Sequence, residues 1–317
     1  MNFWKNLKRP IFVLAPMADV TDSAFRAVIA RYGKPDVTWT ECVSADGVAL
    51  APEEGRKKRL KDLEFTSAER PIVAQFFTSK PENMRKAAEL AKELGFDGID
   101  INMGCPDRSI EKQGAGAAMM KNPKLAREVL RAAIEGAAGL PVSVKTRIGY
   151  NKVELEEWLP EILKENPAVV TIHARTRKEM SKVPARWEFV KRAVEIRNEL
   201  GSNTLILGNG DALSIEDARR KCEETGADGV MLGRAIFGMP WLFSENVPTL
   251  EEKLLVMVEH TKLFEKNLGR VKNFAVMKKH YKAYVNGFDG AGDLRGRLME
   301  ASNAQEIEDI VENFLYN

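Results

Sequence analysis

The chain has 317 residues, of which 44% are hydrophobic and 30% are charged. A chain of this length and composition can bury a full apolar core, which excludes an intrinsically disordered protein and a small domain held together by disulfides. The 48 lysine and arginine residues against 46 aspartate and glutamate residues leave a formal charge of +2, which excludes a uniformly basic nucleic-acid-binding protein.

Short apolar runs rich in β-branched residues recur along the chain and predict eight β-strands. In chain order they are 11–15, 37–41, 72–77, 98–102, 141–145, 168–173, 204–208 and 229–233. Helical spacing of apolar residues separates most of them, as in 83–94 and 123–138, and a further helix is predicted to begin at Ser214 and end at Gly226. Eight alternating strands and helices in about 240 residues favour a (β/α)8 TIM barrel. A doubly wound sheet would need a nucleotide-binding glycine motif after the first strand, and Ala15-Pro16-Met17 lacks one.

From about residue 245 the strand pattern stops and helical spacing takes over. The predicted helices cover 250–268, 271–285 and 304–314. We therefore divide the chain into a barrel domain, residues 1–244, and a small helical domain, residues 245–317. In the second of these helices, apolar residues occupy one face. The opposite face is predicted to be free and carries Lys272 and Lys279, flanked by His280 and Lys282.

The cysteines and the hydropathy pattern bear on the cellular compartment. Cys42, Cys105 and Cys222 are odd in number, widely spaced and without a CxxC pattern, which indicates free thiols in a reducing compartment and no zinc site. No stretch approaches 18 apolar residues, so we expect no membrane span. The basic start followed by residues 11–15 resembles a signal peptide, but Pro16 interrupts the apolar run, and we interpret it as the first strand.

A TIM barrel builds its active site at the carboxyl ends of its strands. Here those positions form a polar ring of Pro16-Met17, Glu41, Gln75, Asn102, Lys145, His173, Asn209 and Gly233-Arg234. Asn209-Gly210-Asp211 and Gly233-Arg234 follow strands seven and eight, where such barrels commonly bind phosphate. Glycine lets backbone N–H groups approach phosphate oxygens and arginine adds a bidentate charge, so a phosphorylated ligand is predicted. Ordinary turn glycines are the alternative.

Three side chains in or near this ring are candidates for a catalytic or binding role. Lys145 would project into the barrel mouth, where a fixed cation suits a ligand that becomes anionic, or would form a salt bridge closing the barrel. His173 taken alone is compatible with a core histidine or a metal ligand, but no second histidine lies nearby to complete a metal site. Cys105 lies in a glycine–proline loop, and a thiol with an ordinary pKa of about 8.5 is mostly protonated at neutral pH, which favours a proton donor. Cys42 and Cys222 lack such a setting and are interpreted as structural.

Together these motifs resemble the tRNA-dihydrouridine synthases over nearly the whole chain. The most specific matches are Asp100-Ile101-Asn102-Met103-Gly104-Cys105-Pro106 and Gly233-Arg234 leading to Pro240-Trp241-Leu242-Phe243. The other matching segments are 14–17, 20–22, 25–26, 114–116, 144–149, 173–177, 208–211 and 277–281.

The resemblance implies an FMN enzyme that reduces a chosen uridine of tRNA to dihydrouridine, with NADPH recharging the flavin. The residues that it implies bind FMN are Pro16, Met17, Ala18, Gln75, Lys145, His173, Asn209, Gly210, Asp211, Gly233 and Arg234. Cys105 would protonate uracil C5 after hydride reaches C6, and Lys145 would stabilise the anionic reduced flavin. The expected substrate contacts are Asn102, Arg175, Arg177, Lys272 and Lys279. We further expect a cytoplasmic monomer that uses neither a metal nor a membrane.

The sequence also departs from the family pattern. Ser181, Val183 and Arg186 precede Trp187 where the family usually has tyrosine, glycine and aspartate, and Asp19 and Thr78 replace common glycines.

Two other readings stay open. One is a dihydroorotate-dehydrogenase-like flavoenzyme acting on a free pyrimidine, and the other is a non-catalytic RNA-binding barrel. Residues 262–297 contain nine basic residues against three acidic ones, which favours a polyanion as partner.

Overall fold

The computed structural model describes residues 2–50 and 52–316, and its main feature is a barrel of parallel strands. The strands are β1 (Ile11–Leu14), β2 (Thr38–Trp39), β3 (Val43–Ser44), β4 (Ile72–Phe77), β5 (Gly98–Met103), β6 (Val142–Arg147), β7 (Val169–His173), β8 (Leu205–Asn209) and β9 (Gly229–Leu232). The wall runs β1-β9-β8-β7-β6-β5-β4-β2, and the short β3 pairs with β4 beside it. A single parallel bridge between Val13 and Val37 joins β1 to β2, so the barrel is nearly closed. The predicted TIM barrel and its eight strands are confirmed.

Helices surround this wall and continue after it. They are α1 (Ser23–Tyr32), α2 (Ala45–Leu50), α3 (Glu53–Asp62), α4 (Pro81–Glu93), α5 (Arg108–Glu111), α6 (Pro123–Ala137), α7 (Leu155–Leu163), α8 (Glu188–Glu199), α9 (Ile215–Thr225), α10 (Leu250–Leu268), α11 (Lys278–Tyr284), α12 (Ala291–Glu300) and α13 (Ala304–Tyr316). The predicted limits of α9 are confirmed, because the Ser214 side chain accepts from the Asp217 N–H and Gly226 ends the helix at φ +73°. No helix in the described ranges is long and apolar enough to cross a bilayer.

The C-terminal helices differ from the prediction in two places. The helix expected over 271–285 is wrong, because Asn273 is extended and caps a separate 3-10 turn, Phe274–Met277, before α11 begins. The helix α12 was missed, since Gly292 and Gly296 lie within it and glycine weakens a helical pattern by about 1 kcal/mol per residue.

The C-terminal helices form an apolar cluster of their own that reaches α1 of the barrel. Leu254, Met257 and Tyr281 are buried in a cluster that includes Ala24 of α1. His280 was expected on a free face, but this is wrong, because its ring is fully buried against Phe25 of α1. The C-terminal helices are therefore packed against α1, and the division at residues 244 and 245 stays a prediction.

Candidate active site

A pocket of about 500 Å³ opens at the carboxyl ends of the strands. Most of the residues expected to bind FMN line it together: Pro16, Met17, Lys145, His173, Asn209, Gly210, Asp211, Gly233 and Arg234. Two do not line it. Ala18 lines a neighbouring pocket of about 380 Å³, and Gln75 lies buried in β4 beside Asn102.

The corner after β8 and β9 is built around Asp211. Its carboxylate accepts from Arg175 and, at 2.6 Å, from Arg234, and these bonds hold its pKa below the ordinary value. Gly210 has φ +124°, and a Cβ there would lie 2.9 Å from the Ala185 Cβ, so this turn needs glycine. The Arg234 side chain is 66% exposed, so its remaining donors are open to a ligand.

His173 is held as a neutral acceptor at the base of this corner. Burial, followed by the charges of Lys145 and the nearby arginines, lowers its pKa well below the ordinary value. Its Nε2 faces the Nη1 of Arg175 at 3.1 Å, and an arginine can only donate, so the ring proton lies on Nδ1. The neutral ring can therefore offer one N–H to a ligand.

Lys145 extends from β6 toward the same pocket. Burial lowers its pKa to about 8, so the ammonium is mostly retained at neutral pH. Its Nζ donates to the Asn209 Oδ1 at 3.3 Å, and the Asn209 Nδ2 donates to the Met231 carbonyl at 2.7 Å. Asn209, on β8, thus holds the lysine through its amide oxygen, and the bond to Met231 fixes the orientation of that amide.

A chain of hydrogen bonds fixes the cysteine loop from inside the barrel. The Gln75 Nε2 donates to the buried Asp100 carboxylate at 2.7 Å, and the Gln75 Oε1 accepts from the Asn102 Nδ2 at 3.1 Å. The Asn102 Oδ1 then accepts the backbone N–H groups of Gly104, at 3.1 Å, and Cys105, at 2.9 Å. An ionised carboxylate only accepts and a backbone N–H only donates, so the two ends of the chain determine how both amides point.

The sequence places Asp100 in the motif of the cysteine loop but does not indicate its role in these hydrogen bonds. Its Cα partner across the β4–β5 pairing is Gln75, so the strand register brings the two side chains together. Burial raises the Asp100 pKa to about 6. It is therefore largely ionised at neutral pH and serves as the acceptor at the inner end of the chain.

The loop that carries Cys105 is tightly packed. The Cys105 carbonyl accepts from the Ala117 N–H at 2.9 Å, and a Cβ on Gly116 would lie 2.7 Å from that carbonyl. On the other side, the Arg147 Nε donates to the Gly104 carbonyl at 2.7 Å. Burial raises the Cys105 pKa, so the thiol stays protonated at neutral pH.

Cys42 lies at this site beside Asn102, and its interpretation as a structural residue stays a prediction. Its Sγ is 3.3 Å from the Asn102 Nδ2, the same amide group that bonds to Gln75. Burial raises its pKa well above the ordinary value, and the neighbouring Cys105 raises it further. The sequence signal was present, because Cys42 directly follows Glu41 in the polar ring, but strand β2 ends earlier than predicted.

Comparison with known proteins decides the family. The family model described as "Dihydrouridine synthase (Dus)" matches residues 13–317. A "Probable tRNA-dihydrouridine synthase 2" of Bacillus subtilis strain 168 is 40% identical, covering 99% of this chain and 96% of that protein. A "Probable tRNA-dihydrouridine synthase" of Staphylococcus aureus strain MRSA252 is 38% identical, covering 99% and 95%. The chain belongs to the dihydrouridine synthase family.

Solved structures support the barrel fold of this dihydrouridine synthase family member. Morphinone reductase superposes with a TM-score of 0.53 at 13% identity, covering 73% of this chain and 84% of that one. A histamine dehydrogenase from Rhizobium sp. 4-9 gives 0.55 at 13% identity, covering 80% and 48%. At these identities the likeness concerns the fold alone.

The expected substrate residues of this family member fall into different settings. Arg175 is buried in the wall of the pocket, which it lines, and it bonds there to Asp211, His173 and the Val183 carbonyl. Arg177 lies nearer the surface and pairs with Glu111.

The sequence predicts that Lys272 and Lys279 share a free face, but in the structure they do not. Lys272 points into the barrel mouth and its side chain is only 14% exposed, because its ammonium pairs with Glu41 at 2.8 Å. Lys279 is partly exposed on α11 and forms no ion pair with any described residue. The 3-10 turn between them separates the two lysines, which a continuous helix would have kept on one face.

Proposed function

We propose that this protein reduces specific uridines of tRNA to 5,6-dihydrouridine, using FMN that is recharged by NADPH. The proposal rests on one observation. The corner after β8 and β9, which suits a phosphate, lies at the same barrel mouth as a buried lysine and a protonated cysteine. Family membership, and relatives that carry the name tRNA-dihydrouridine synthase, support it. We further propose that the protein acts in the cytoplasm, where its proposed tRNA substrate is found, and that it is a monomer.

The charges and the glycine turn of the pocket support FMN as the ligand. The open guanidinium of Arg234 and the glycine turn at Gly210 suit a phosphate. The neutral His173 and the ammonium of Lys145 lie deeper and suit the polar edge of a ring that gains negative charge. The residues that would hold FMN are therefore the nine pocket residues given above.

The chemistry divides between the cofactor and the chain. FMN, when bound, supplies the hydride that adds to uracil C6. Cys105 then gives its thiol proton to C5, and its raised pKa keeps that proton available at neutral pH. Asn102 fixes the backbone of the cysteine loop, and the Lys145 ammonium stabilises negative charge in the pocket.

The experiment that tests the function uses purified protein, NADPH and an unmodified tRNA transcript. We expect dihydrouridine in the product by mass spectrometry and oxidation of the reduced flavin when tRNA is added. Oxidation by orotate but not by tRNA would favour the free-pyrimidine enzyme, and a protein that binds tRNA without any flavin would favour the non-catalytic barrel.

Arg234→Ala is expected to weaken FMN binding roughly 10- to 100-fold, because a hydrogen bond to a charged group contributes about 1.5–3 kcal/mol. The measurement is a fluorescence titration of the apoprotein with FMN. Arg220→Ala is the matched control, since Arg220 on α9 is 64% exposed and also pairs with an aspartate, Asp217. Equal FMN affinity for the two variants would remove Arg234 from the phosphate site.

Lys279→Ala combined with Lys282→Ala is expected to weaken tRNA binding and to lower the salt slope by roughly 0.7–0.9 per lost phosphate contact. Both lysines lie on α11 and form no ion pair with the described residues. The measurement is tRNA affinity at several salt concentrations. Lys5→Ala with Lys8→Ala removes two exposed charges at the opposite end of the barrel and should leave the slope unchanged. An unchanged slope in the α11 variant would exclude this helix from the tRNA interface.

A further inference from the structure

Lys272 joins the C-terminal part of the chain to three separate segments of the barrel mouth. Its Nζ lies 2.8 Å from the Glu41 Oε2, 3.4 Å from the Asp19 Oδ1 and 3.8 Å from the Asp62 Oδ1. Glu41 follows β2, Asp19 lies between β1 and α1, and Asp62 ends α3. One ammonium therefore bridges three chain segments that are far apart in sequence.

Glu41 depends on this lysine for its charge balance. Its side chain is only 7% exposed, and a buried carboxylate without a cation is strongly unfavourable. Its Oε2 pairs with Lys272, and its Oε1 accepts the backbone N–H of Asp19. No other described cation lies within ion-pair distance of Glu41, and Asp62 adds more negative charge nearby.

The Asp19 backbone connects this cluster to the loop that lines the candidate flavin pocket. Asp19 has φ +55°, a left-handed conformation that costs a residue other than glycine about 1–2 kcal/mol. The bond from its N–H to Glu41 and the contact of its carboxylate with Lys272 hold it there. The residues just before it, Pro16 and Met17, line the candidate flavin pocket.

We propose that Lys272 is a positioning residue that, through Glu41 and Asp19, holds the loop of residues 16–19 in the shape that binds the flavin. In this role it does not contact tRNA phosphate. The inference rests on the proposed function for the identity of the ligand. This role explains why a lysine from the C-terminal segment lies among the acidic side chains of the barrel mouth.

The test begins with Lys272→Met, which keeps an unbranched side chain and removes the charge. We expect FMN affinity to fall about tenfold or more, as it would if only about a tenth of the molecules kept the binding-competent loop. Lys272→Arg should restore most of the affinity. Lys279→Met should leave FMN affinity unchanged, whereas Lys272→Met should leave the salt slope of tRNA binding unchanged.

A second variant separates loop positioning from loss of folding. In Lys272→Met with Glu41→Gln, the amide oxygen can still accept the Asp19 N–H, and the buried Glu41 charge is removed together with its partner. We expect this double variant to recover part of the lost FMN affinity. If Lys272→Met unfolds, the comparison is made between Glu41→Gln and the double variant, whose FMN affinities should then be nearly equal.

Hydrogen exchange provides a readout that needs no flavin. The Asp19 N–H should be protected in the wild type and should exchange faster in Lys272→Met, with Lys272→Arg protected again. Unchanged exchange and unchanged FMN affinity in Lys272→Met would overturn the proposal, as would a lowered tRNA salt slope. If the wild type bound no FMN, the proposed function would fail while the exchange result still decided the role of Lys272.

Discussion

Cys105→Ala is expected to slow the oxidation of reduced flavin by tRNA by about 10²- to 10⁴-fold, the contribution typical of a positioned general acid. FMN affinity and flavin reduction by NADPH should be unchanged. The reason is structural, because Asn102 and Ala117 hold the loop through the Cys105 backbone and the substitution removes only the thiol. Single-turnover absorbance of the flavin measures both half-reactions.

Cys42→Ala is the matched control for this prediction. It removes a second buried thiol that contacts the same Asn102 amide, and it leaves the Gln75 bond to that amide in place. We expect the rate of flavin oxidation by tRNA to fall less than about tenfold, because the variant loses only one weak hydrogen bond. A wild-type rate in Cys105→Ala, or an equal loss in both variants, would contradict the assignment of Cys105 as the donor.

The pH dependence of the same step follows from the thiol. Burial raises the Cys105 pKa, so the proton-donating form persists to higher pH than for an ordinary cysteine. The tRNA half-reaction should therefore hold a plateau at neutral pH, fall first as Lys145, whose pKa is lowered to about 8, loses its proton, and fall further as the thiol ionises at higher pH.

The barrel and much of its mouth could be predicted because their signals are local. A parallel strand covered on both faces gives a continuous apolar run, as in β1 and β9, and the residues that follow such a run lie at the mouth. Lys145 and His173 were found in this way, and the pocket contains both.

The residues that were misplaced are those whose setting depends on distant parts of the chain. Helical periodicity put Lys272 and Lys279 on one face, but it carries no information about Glu41, more than 200 positions earlier, which binds Lys272. The series of hydrogen bonds that leads from Asp100 to Cys105 likewise depends on the register between β4 and β5. Cys42 lies at the site, and strand β2 ends before it, earlier than predicted.

His260 and His280 form a buried pair where the C-terminal helices meet α1. Their ring centroids are 4.7 Å apart, and both rings pack on Phe25. None of the four ring nitrogens has a hydrogen-bond partner among the described residues. Burial lowers both pKa values, that of His280 to about 3, so both rings stay neutral in the folded protein.

This pair links stability to pH with a definite sign. An unfolded histidine has a pKa of about 6.5, so below that value the unfolded chain binds protons that the folded chain refuses. Each histidine should therefore remove about 1.4 kcal/mol of unfolding free energy per pH unit as pH falls from 6 to 4. Buried Asp22 and Asp100 act in the opposite direction, because their pKa values are raised to about 6 and protonation relieves their burial.

A variant comparison isolates the histidine contribution from these opposing carboxyls. We expect the unfolding free energy of His280→Phe to increase relative to that of the wild type by about 1.4 kcal/mol for each unit that the pH falls between 6 and 4. Tyr284→Phe is the control, since it alters a buried ring against His260 without a group that titrates in this range. Any packing strain from the larger phenylalanine shifts the whole difference by a constant and leaves its slope intact. Denaturant unfolding at several pH values measures that slope, and a difference independent of pH would show that His280 takes up its proton in the folded state.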